Sequence, residues 1–304
     1  MKQSGTAFST SPSVTPADEE ANFTALRALH VAGRQENQPA SIRRPRIVRV
    51  KNSVRLTPNM QRVTLEGDEL VDFPGGREGA HVKLMLPAAW QSERDFRTQL
   101  SQGPKRPITR TYTVRHHRAE ANELDIDFAL HKHGRACHWA VSAQPGDFAA
   151  LAGPGSKKLT DFTADWFLLV ADMTAIPAAA AALEDMPREA TGHAVFEITG
   201  PDDRQPMNAP AGIEIRWLIN PAPELGACRQ LETLKSLAWP SGRPSVFVAS
   251  ESSVMKAVRQ FLSDEKGIDR KTIYASAYWK IGLREDQLRK LKDREAAQAA
   301  SARL

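Results

Sequence analysis

Cysteine is almost missing from this chain: Cys137 and Cys228 are the only two, and they form no CxxC pair. That excludes an iron–sulfur cluster or a thiolate zinc site, which need more sulfur ligands. It agrees with a reducing compartment, so the expectation is a cytoplasmic protein without a disulfide. Long apolar runs are missing too. No stretch approaches the roughly 20 apolar residues of a membrane-spanning helix, and the opening MKQSGTAFSTSPSVTPADEE has no apolar signal segment. GxSxG is absent and neither cysteine sits in a nucleophile context, which removes a hydrolytic triad. GxxxxGK[ST] and GxGxxG are absent as well, so neither a P-loop nor the usual dinucleotide fingerprint is present.

What is present is an ordinary soluble composition, 41% hydrophobic and 25% charged, with a net charge of +5. A positive balance favours anionic partners but does not choose among nucleic acid, membrane surfaces and small anions. The basic run Arg43, Arg44, Arg46 has no aromatic interleaving. The expectation is therefore no nucleic acid and no membrane insertion.

Four segments are expected. Residues 1–41 form a polar arm in which Phe23, Leu26 and Leu29 line one face of a short helix from about 16 to 32. Residues 42–157 read as short strands at 46–56, 60–66, 81–86, 107–116, 123–131 and 147–152, broken at Pro58-Asn59, Gly75-Gly76 and Gly146-Asp147. That spacing predicts a closed antiparallel β-barrel, with Pro87 to Pro104 as a long loop carrying a helical turn. Residues 158–283 change texture. DWFLLVAD, HAVFEITG, IEIRWLIN, SVFVASE and IYASAYW alternate with helical stretches, which predicts a Rossmann-like α/β domain binding at its strands' carboxyl ends. Thr174 is the expected N-cap of the first helix, with Pro177 in its first turn. Residues 284–304 form a charged helix, expected as a solvated face or an oligomer contact.

One stretch carries more chemistry than the rest. In ITRTYTVRH the β-branched residues favour a strand, and period two puts Arg110 and Tyr112 on one face with Thr111 and Thr113 on the other. A guanidinium beside a phenol ring suits a ligand carrying both phosphate and a flat aromatic system. In the following LDIDFALHKHGRACHWA, Leu124, Ile126, Phe128 and Leu130 point one way while Asp125, Asp127, Ala129 and His131 point the other. The run breaks at Gly134 and restarts as a helix, presenting free backbone N–H groups with Arg135 beside them. His131 and His133 share a face, but no third ligand completes a metal site.

RTYTVR, DIDFALHKHGRACHWA and GDFAALAGPGS, in that order, resemble the flavin-binding core of the siderophore-interacting proteins. These are FAD-dependent ferric-siderophore reductases related to the ferredoxin–NADP reductase superfamily. The resemblance implies that Arg110 meets FAD phosphate and that Tyr112 and Thr113 meet the isoalloxazine. It implies that His131, Gly134, Arg135, Ala136 and Cys137 hold the adenosine and pyrophosphate portion. Thr111, Asp127 and Trp139 complete the expected cofactor-binding set. The turn departs from the family's Gly-Pro-Ala-Ser, since Arg135 and Cys137 replace proline and serine.

The second half carries weaker echoes of the same family. Ala171-Asp172-Met173-Thr174-Ala175-Ile176-Pro177-Ala178 stands for Gly-Asp-Glu-Thr-Ala-Leu-Pro-Ala, and Ala249-Ser250-Glu251 for Ala-Gly-Glu. Asp172, Thr174, Ala175 and Glu251 are thereby the implied NAD(P)H contacts, with Ala171 and Ser250 standing where the family has glycine. Those replacements leave a ferredoxin as rival electron donor, and a non-enzymatic flavin-binding protein or a reductase of another acceptor as rival functions. Tyr278-Trp279-Lys280-Ile281-Gly282 is similar to the closing YWRxG, which implies that Trp279 covers the flavin ring. The implied substrate is an anionic ferric siderophore. Lys280 is a candidate for its pocket by position, and Arg62 and Lys83 by basic character.

Overall fold

The computed structural model describes residues 44–301 apart from 104–106, 132–133, 158–160 and 227. The arm with its expected helix, Arg43 and His133 lie outside the described residues.

Seven strands make the first sheet: β1 (Arg46–Thr57), β2 (Met60–Glu66), β3 (His81–Leu86), β4 (Ile108–Thr113), β5 (His116–Arg118), β6 (Glu123–Ala129) and β7 (Phe148–Ala152). Their order is β4-β3-β7-β1-β2-β6-β5, with every pair antiparallel. Alternation builds the interior. Leu124, Ile126 and Phe128 of β6 are buried against Val63, Leu65 and Leu84, while Asp125 and Asp127 face outward and are ion-paired. The expected closed ladder is not what forms: among the described residues β4 and β6 share no strand pairing. Their rings close the gap instead, Tyr112 and Phe128 lying 4.3 Å apart between centroids. Just past β4, Arg115 N–H donates to the Asp125 carbonyl at 2.9 Å.

The connection between β3 and β4 holds more structure than the expected single turn. It contains a ten-residue helix, α1 (Glu93–Gln102), with Ser92 capping the Asp95 N–H and Phe96 fully buried. The polar composition hid it, because buried Phe96 and half-buried Leu100 are the whole of its apolar face. Helix α2 (Arg135–Ser142) follows β6.

The second sheet contains β8 (Trp166–Ala171), β9 (Thr191–Ile198), β10 (Gly212–Ile219), β11 (Pro244–Glu251) and β12 (Ile273–Trp279). All pairs are parallel, in the order β10-β9-β8-β11-β12. Helices α3 (Ile176–Asp185), α4 (Arg229–Ser236) and α5 (Ser252–Asp264) cover it, and α6 (Glu285–Ser301) follows β12. Every residue of β8 is buried, as expected for a central parallel strand covered on both faces. The order reverses at β8, whose neighbours are β9 on one side and β11 on the other, so the switch point lies between β8 and β11. No described helix is long and apolar enough to cross a membrane.

The two sheets are joined by specific polar contacts. Asp203, fully buried after β9, accepts from Thr57 Oγ1, Asn59 N and Asn59 Nδ2, each at 2.8 Å, and from Gly200 N at 3.0 Å. Arg115 grips Glu184 of α3 with two hydrogen bonds, at 2.7 and 2.9 Å. Gly79, next to α3, has φ 80°, a left-handed backbone that favours glycine.

Candidate active site

β4 is an edge strand, pairing with β3 on one side only. An edge leaves N–H groups unpaired by the sheet, and here an acid from the other sheet's side takes one. Glu285, the first residue of α6, accepts from Thr111 N at 3.0 Å and Thr111 Oγ1 at 2.6 Å. Its other oxygen lies 3.9 Å from Arg110 Nε. Lys83 Nζ also donates to Thr111 Oγ1, at 2.6 Å. Glu285 was not singled out by the sequence because its neighbours look like any charged helix start.

Tyr112 is half-buried and packs on Phe128, which in turn lies 6.0 Å from Trp139. Burial pushes the Tyr112 phenol well above its ordinary pKa, with the Cys137 thiol adding to the effect. Thr113 is buried at the end of the strand. Across the gap, Gly134 is the N-cap of α2 and gives that helix no side-chain cap. A Cβ on Gly134 would come within 2.7 Å of His131 Cε1, so only glycine leaves that ring its place over the turn. Arg135 is exposed in the first turn, while Ala136 and Cys137 are buried. Cys137 Sγ donates to the Ala129 carbonyl at 3.4 Å, and burial raises its pKa. Its thiol is thus bonded where the family's turn carries a serine hydroxyl, and the first-turn backbone N–H groups of α2, with Arg135 exposed beside them, are the donors this turn presents.

Arg110, Tyr112, the bare α2 terminus and the His131 ring fit a cofactor with a pyrophosphate between two flat ring systems. Two expected members stand apart. Arg62 donates to both oxygens of Asp127, at 2.7 and 2.8 Å, and Arg115 Nε lies 3.9 Å from the same carboxylate. Arg62 and Asp127 are ion-paired with each other on the outer face of the barrel.

The second half of the site is the carboxyl edge of the parallel sheet. Asp172, the residue after β8, is 6% exposed and collects donors from three strand ends. Its Oδ1 accepts from Thr174 N and Oγ1 at 2.9 and 2.6 Å, and its Oδ2 from Glu251 N at 2.9 Å and Trp279 Nε1 at 2.7 Å. Burial still holds the Asp172 carboxyl above its ordinary pKa, although these donors pull it down. Thr174 thus spends its hydroxyl on Asp172 and does not cap α3; the N-cap is Ala175, without a side-chain bond. Glu251 is also engaged, because its carboxylate caps α5 through Ser253 and Val254 N–H and accepts from Ile281 N at 3.2 Å. Burial alone would raise its pKa, but the Ser253, Ile281 and Val254 donors outweigh it and the net direction is down.

The two substituted positions sit one residue before these acids. Ala171 and Ser250 are 0% and 1% exposed. Lys280 follows Trp279 and is half-buried. Among the described residues no group of three or more His, Cys, Asp or Glu is placed to hold a metal ion.

Comparison with known proteins agrees with this geometry. Residues 49–158 match the profile of the siderophore-interacting FAD-binding domain, and residues 164–282 that of the siderophore-interacting protein. The ferric vibriobactin reductase ViuB of Vibrio cholerae is 34% identical over 251 residues, covering 80% of this chain and 92% of that protein. The NADPH-dependent ferric-chelate reductase of Escherichia coli is 28% identical over 236 residues, covering 74% and 89%. The crystal structure of the siderophore-interacting protein SipS from Aeromonas hydrophila superposes with a TM-score of 0.73 at 33% identity, covering 84% of this chain and 98% of that one.

Proposed function

Because the chain belongs to the siderophore-interacting protein family, we propose that it is a ferric-siderophore reductase. It takes electrons from NAD(P)H at the carboxyl edge of the parallel sheet and delivers them to a ferric siderophore beside β4. The observation that carries this reading is the Glu285–Thr111 contact, at 2.6 Å. Glu285 lies six positions past Trp279, so the contact sets the end of the nucleotide-type sheet next to the strand that bears Arg110 and Tyr112.

FAD, when bound, supplies the step from a two-electron donor to a one-electron acceptor. The chain's residues bind and orient. Arg110 grips phosphate, the Tyr112 ring gives a stacking surface, and the α2 terminus with Arg135 and His131 holds the adenosine half. Trp279, fixed through its indole N–H by Asp172, covers the ring and excludes water. Lys83 and Lys280 draw in an anionic ferric complex. Outer-sphere reduction needs no acid or base, so no catalytic dyad is required. Reduction to Fe(II) weakens binding by hard oxygen donors and frees the metal. Cys137 and Cys228 are both free, in keeping with action in the cytoplasm.

The test is Fe(II) release from a ferric catecholate or hydroxamate complex, followed with a ferrous chelator in the presence of NADH or NADPH. Turnover dependent on added FAD supports the reading; FAD-loaded protein that releases no Fe(II) from either chelate class overturns it.

A further inference from the structure

Thr111 joins two opposite charges at the edge of β4. Its hydroxyl accepts from Lys83 Nζ at 2.6 Å and donates to Glu285 Oε1 at 2.6 Å. An ammonium only donates and a carboxylate only accepts, so the hydroxyl serves both as a relay between them. Glu285 also accepts from Thr111 N at 3.0 Å and lies 3.9 Å from Arg110 Nε. A carboxylate carried on α6 therefore sits among an edge N–H, a hydroxyl and two cations, a set of groups that suits an anion.

A third cation stands near. Lys292, two turns further along α6, donates from Nζ to the Ala277 carbonyl at 2.5 Å and so pins the helix to β12. Its side chain is exposed as a whole, but desolvation of the ammonium against that carbonyl pushes its pKa down. Glu285 draws it back up and the Lys83 charge lowers it further, so Lys292 senses both partners of Thr111. Glu285 and Lys83 are half-buried, where charges act on one another through less water than on an open surface. The hydrogen bonds to Thr111 ask only for an acceptor, which a neutral amide would supply. What the negative charge adds is electrostatic: it cancels Lys83 for any anion that approaches β4. An anionic chelate needs the same cations and meets a carboxylate already among them. A neutral chelate makes no claim on Lys83 and meets no such competitor.

We propose that Glu285 is a tethered counter-anion that competes with the substrate for Lys83 and Thr111, and so sets the charge preference of the iron site. It holds down the binding of multiply anionic ferric complexes, such as tris-catecholates, and leaves neutral tris-hydroxamates unaffected. The inference rests on the reading that a ferric complex is reduced beside β4.

The test is stopped-flow reoxidation of the FAD-loaded full chain, reduced beforehand with stoichiometric dithionite so that no pyridine nucleotide is needed. One chelate is a trianionic ferric tris-catecholate, the other a neutral ferric tris-hydroxamate. Glu285→Gln keeps an acceptor for Thr111 and removes the charge. It should lower the half-saturating concentration of the trianionic chelate about fivefold, the upper range for one partly exposed charge pair. The limiting rate, and the half-saturating concentration of the neutral chelate, should stay within about twofold, since neither depends on that pair. Added salt should shrink the gain. Lys83→Gln, a second variant, should weaken the trianionic chelate alone, and in that background Glu285→Gln should lose most of its effect. No gain in Glu285→Gln, a gain shared equally by both chelates, or an equal loss of both in Lys83→Gln overturns the proposal and leaves the reductase reading standing. If neither chelate reoxidises the reduced wild-type protein, the reductase reading falls and takes the inference with it.

Discussion

The indole nitrogen of Trp279 donates to Asp172 Oδ2 across 2.7 Å, tying the end of β12 to the residue that follows β8. Because Oδ2 also accepts from Glu251 N and Oδ1 from Thr174, one carboxylate fixes the switch point and the aromatic proposed to cover the flavin. Asp172→Ala should cost about 2–3 kcal/mol, since it leaves buried donors unmet. It should also shift the Trp279 fluorescence of a variant in which the other tryptophans are phenylalanine. Urea unfolding and emission spectra check this; an unshifted spectrum would count against the tie.

Asp203 should matter as much without touching the site. Its carboxylate takes four hydrogen bonds from the β1–β2 turn and Gly200, so Asp203→Ala orphans donors in both halves. The expected loss is again roughly 2–3 kcal/mol in urea unfolding, with FAD affinity changed less than about threefold. A loss within the ±0.5 kcal/mol typical of surface changes would refute the joint.

Acid should unfold the protein through ion-paired carboxylates, Asp125 on the barrel and Glu184 on α3. For Asp125, burial alone would raise the pKa, but hydrogen bonds from Arg118, His116 and Thr64 and the Arg118 charge bring it well below the ordinary range. Glu184 is lowered likewise, the Arg115 hydrogen bonds and charge outweighing burial. A folded value below the unfolded one gives stability that is present above about pH 4 and lost as the pH falls through the folded value. Arg118→Ala should therefore cost clearly more at pH 7 than at pH 2.5, measured by urea midpoints. Equal losses at the two pH values would show that the pair contributes no pH-dependent stability.

Flavin affinity should depend on the β4 guanidinium and on the glycine under His131. Removing a charge-assisted phosphate contact with Arg110→Ala should weaken FAD binding by about 10- to 100-fold. Gly134→Ala puts a Cβ 2.7 Å from His131 Cε1. It should weaken FAD several-fold while the melting midpoint moves by less than about 2 °C, because the displaced ring is exposed. Fluorescence titration of the apoprotein reads both, and unchanged affinity in Arg110→Ala would place the pyrophosphate elsewhere.

Much of the architecture was legible because it is written in short-range patterns. Alternation in Leu124 to Phe128 and the apolar run of β8 fix which faces are buried, and those survive in the folded chain. What stayed hidden is long-range pairing. Arg62 was read from its basic character alone, and folding set it against Asp127, 65 positions away. Glu285 meets Thr111 across 174 positions, a separation at which no local pattern carries information. Barrel closure by Tyr112 and Phe128 in place of a ladder was likewise invisible, since period two reports the face of a strand and not its neighbour.

The central claim is that Arg110, Tyr112 and the α2 terminus hold a flavin that a pyridine nucleotide reduces. The most direct measurement is the visible spectrum of the purified protein, reconstituted with FAD and titrated anaerobically with NADH or NADPH. The account predicts bound-flavin absorbance that bleaches with the nucleotide and returns when a ferric siderophore is added. A protein that stays colourless after reconstitution would contradict it.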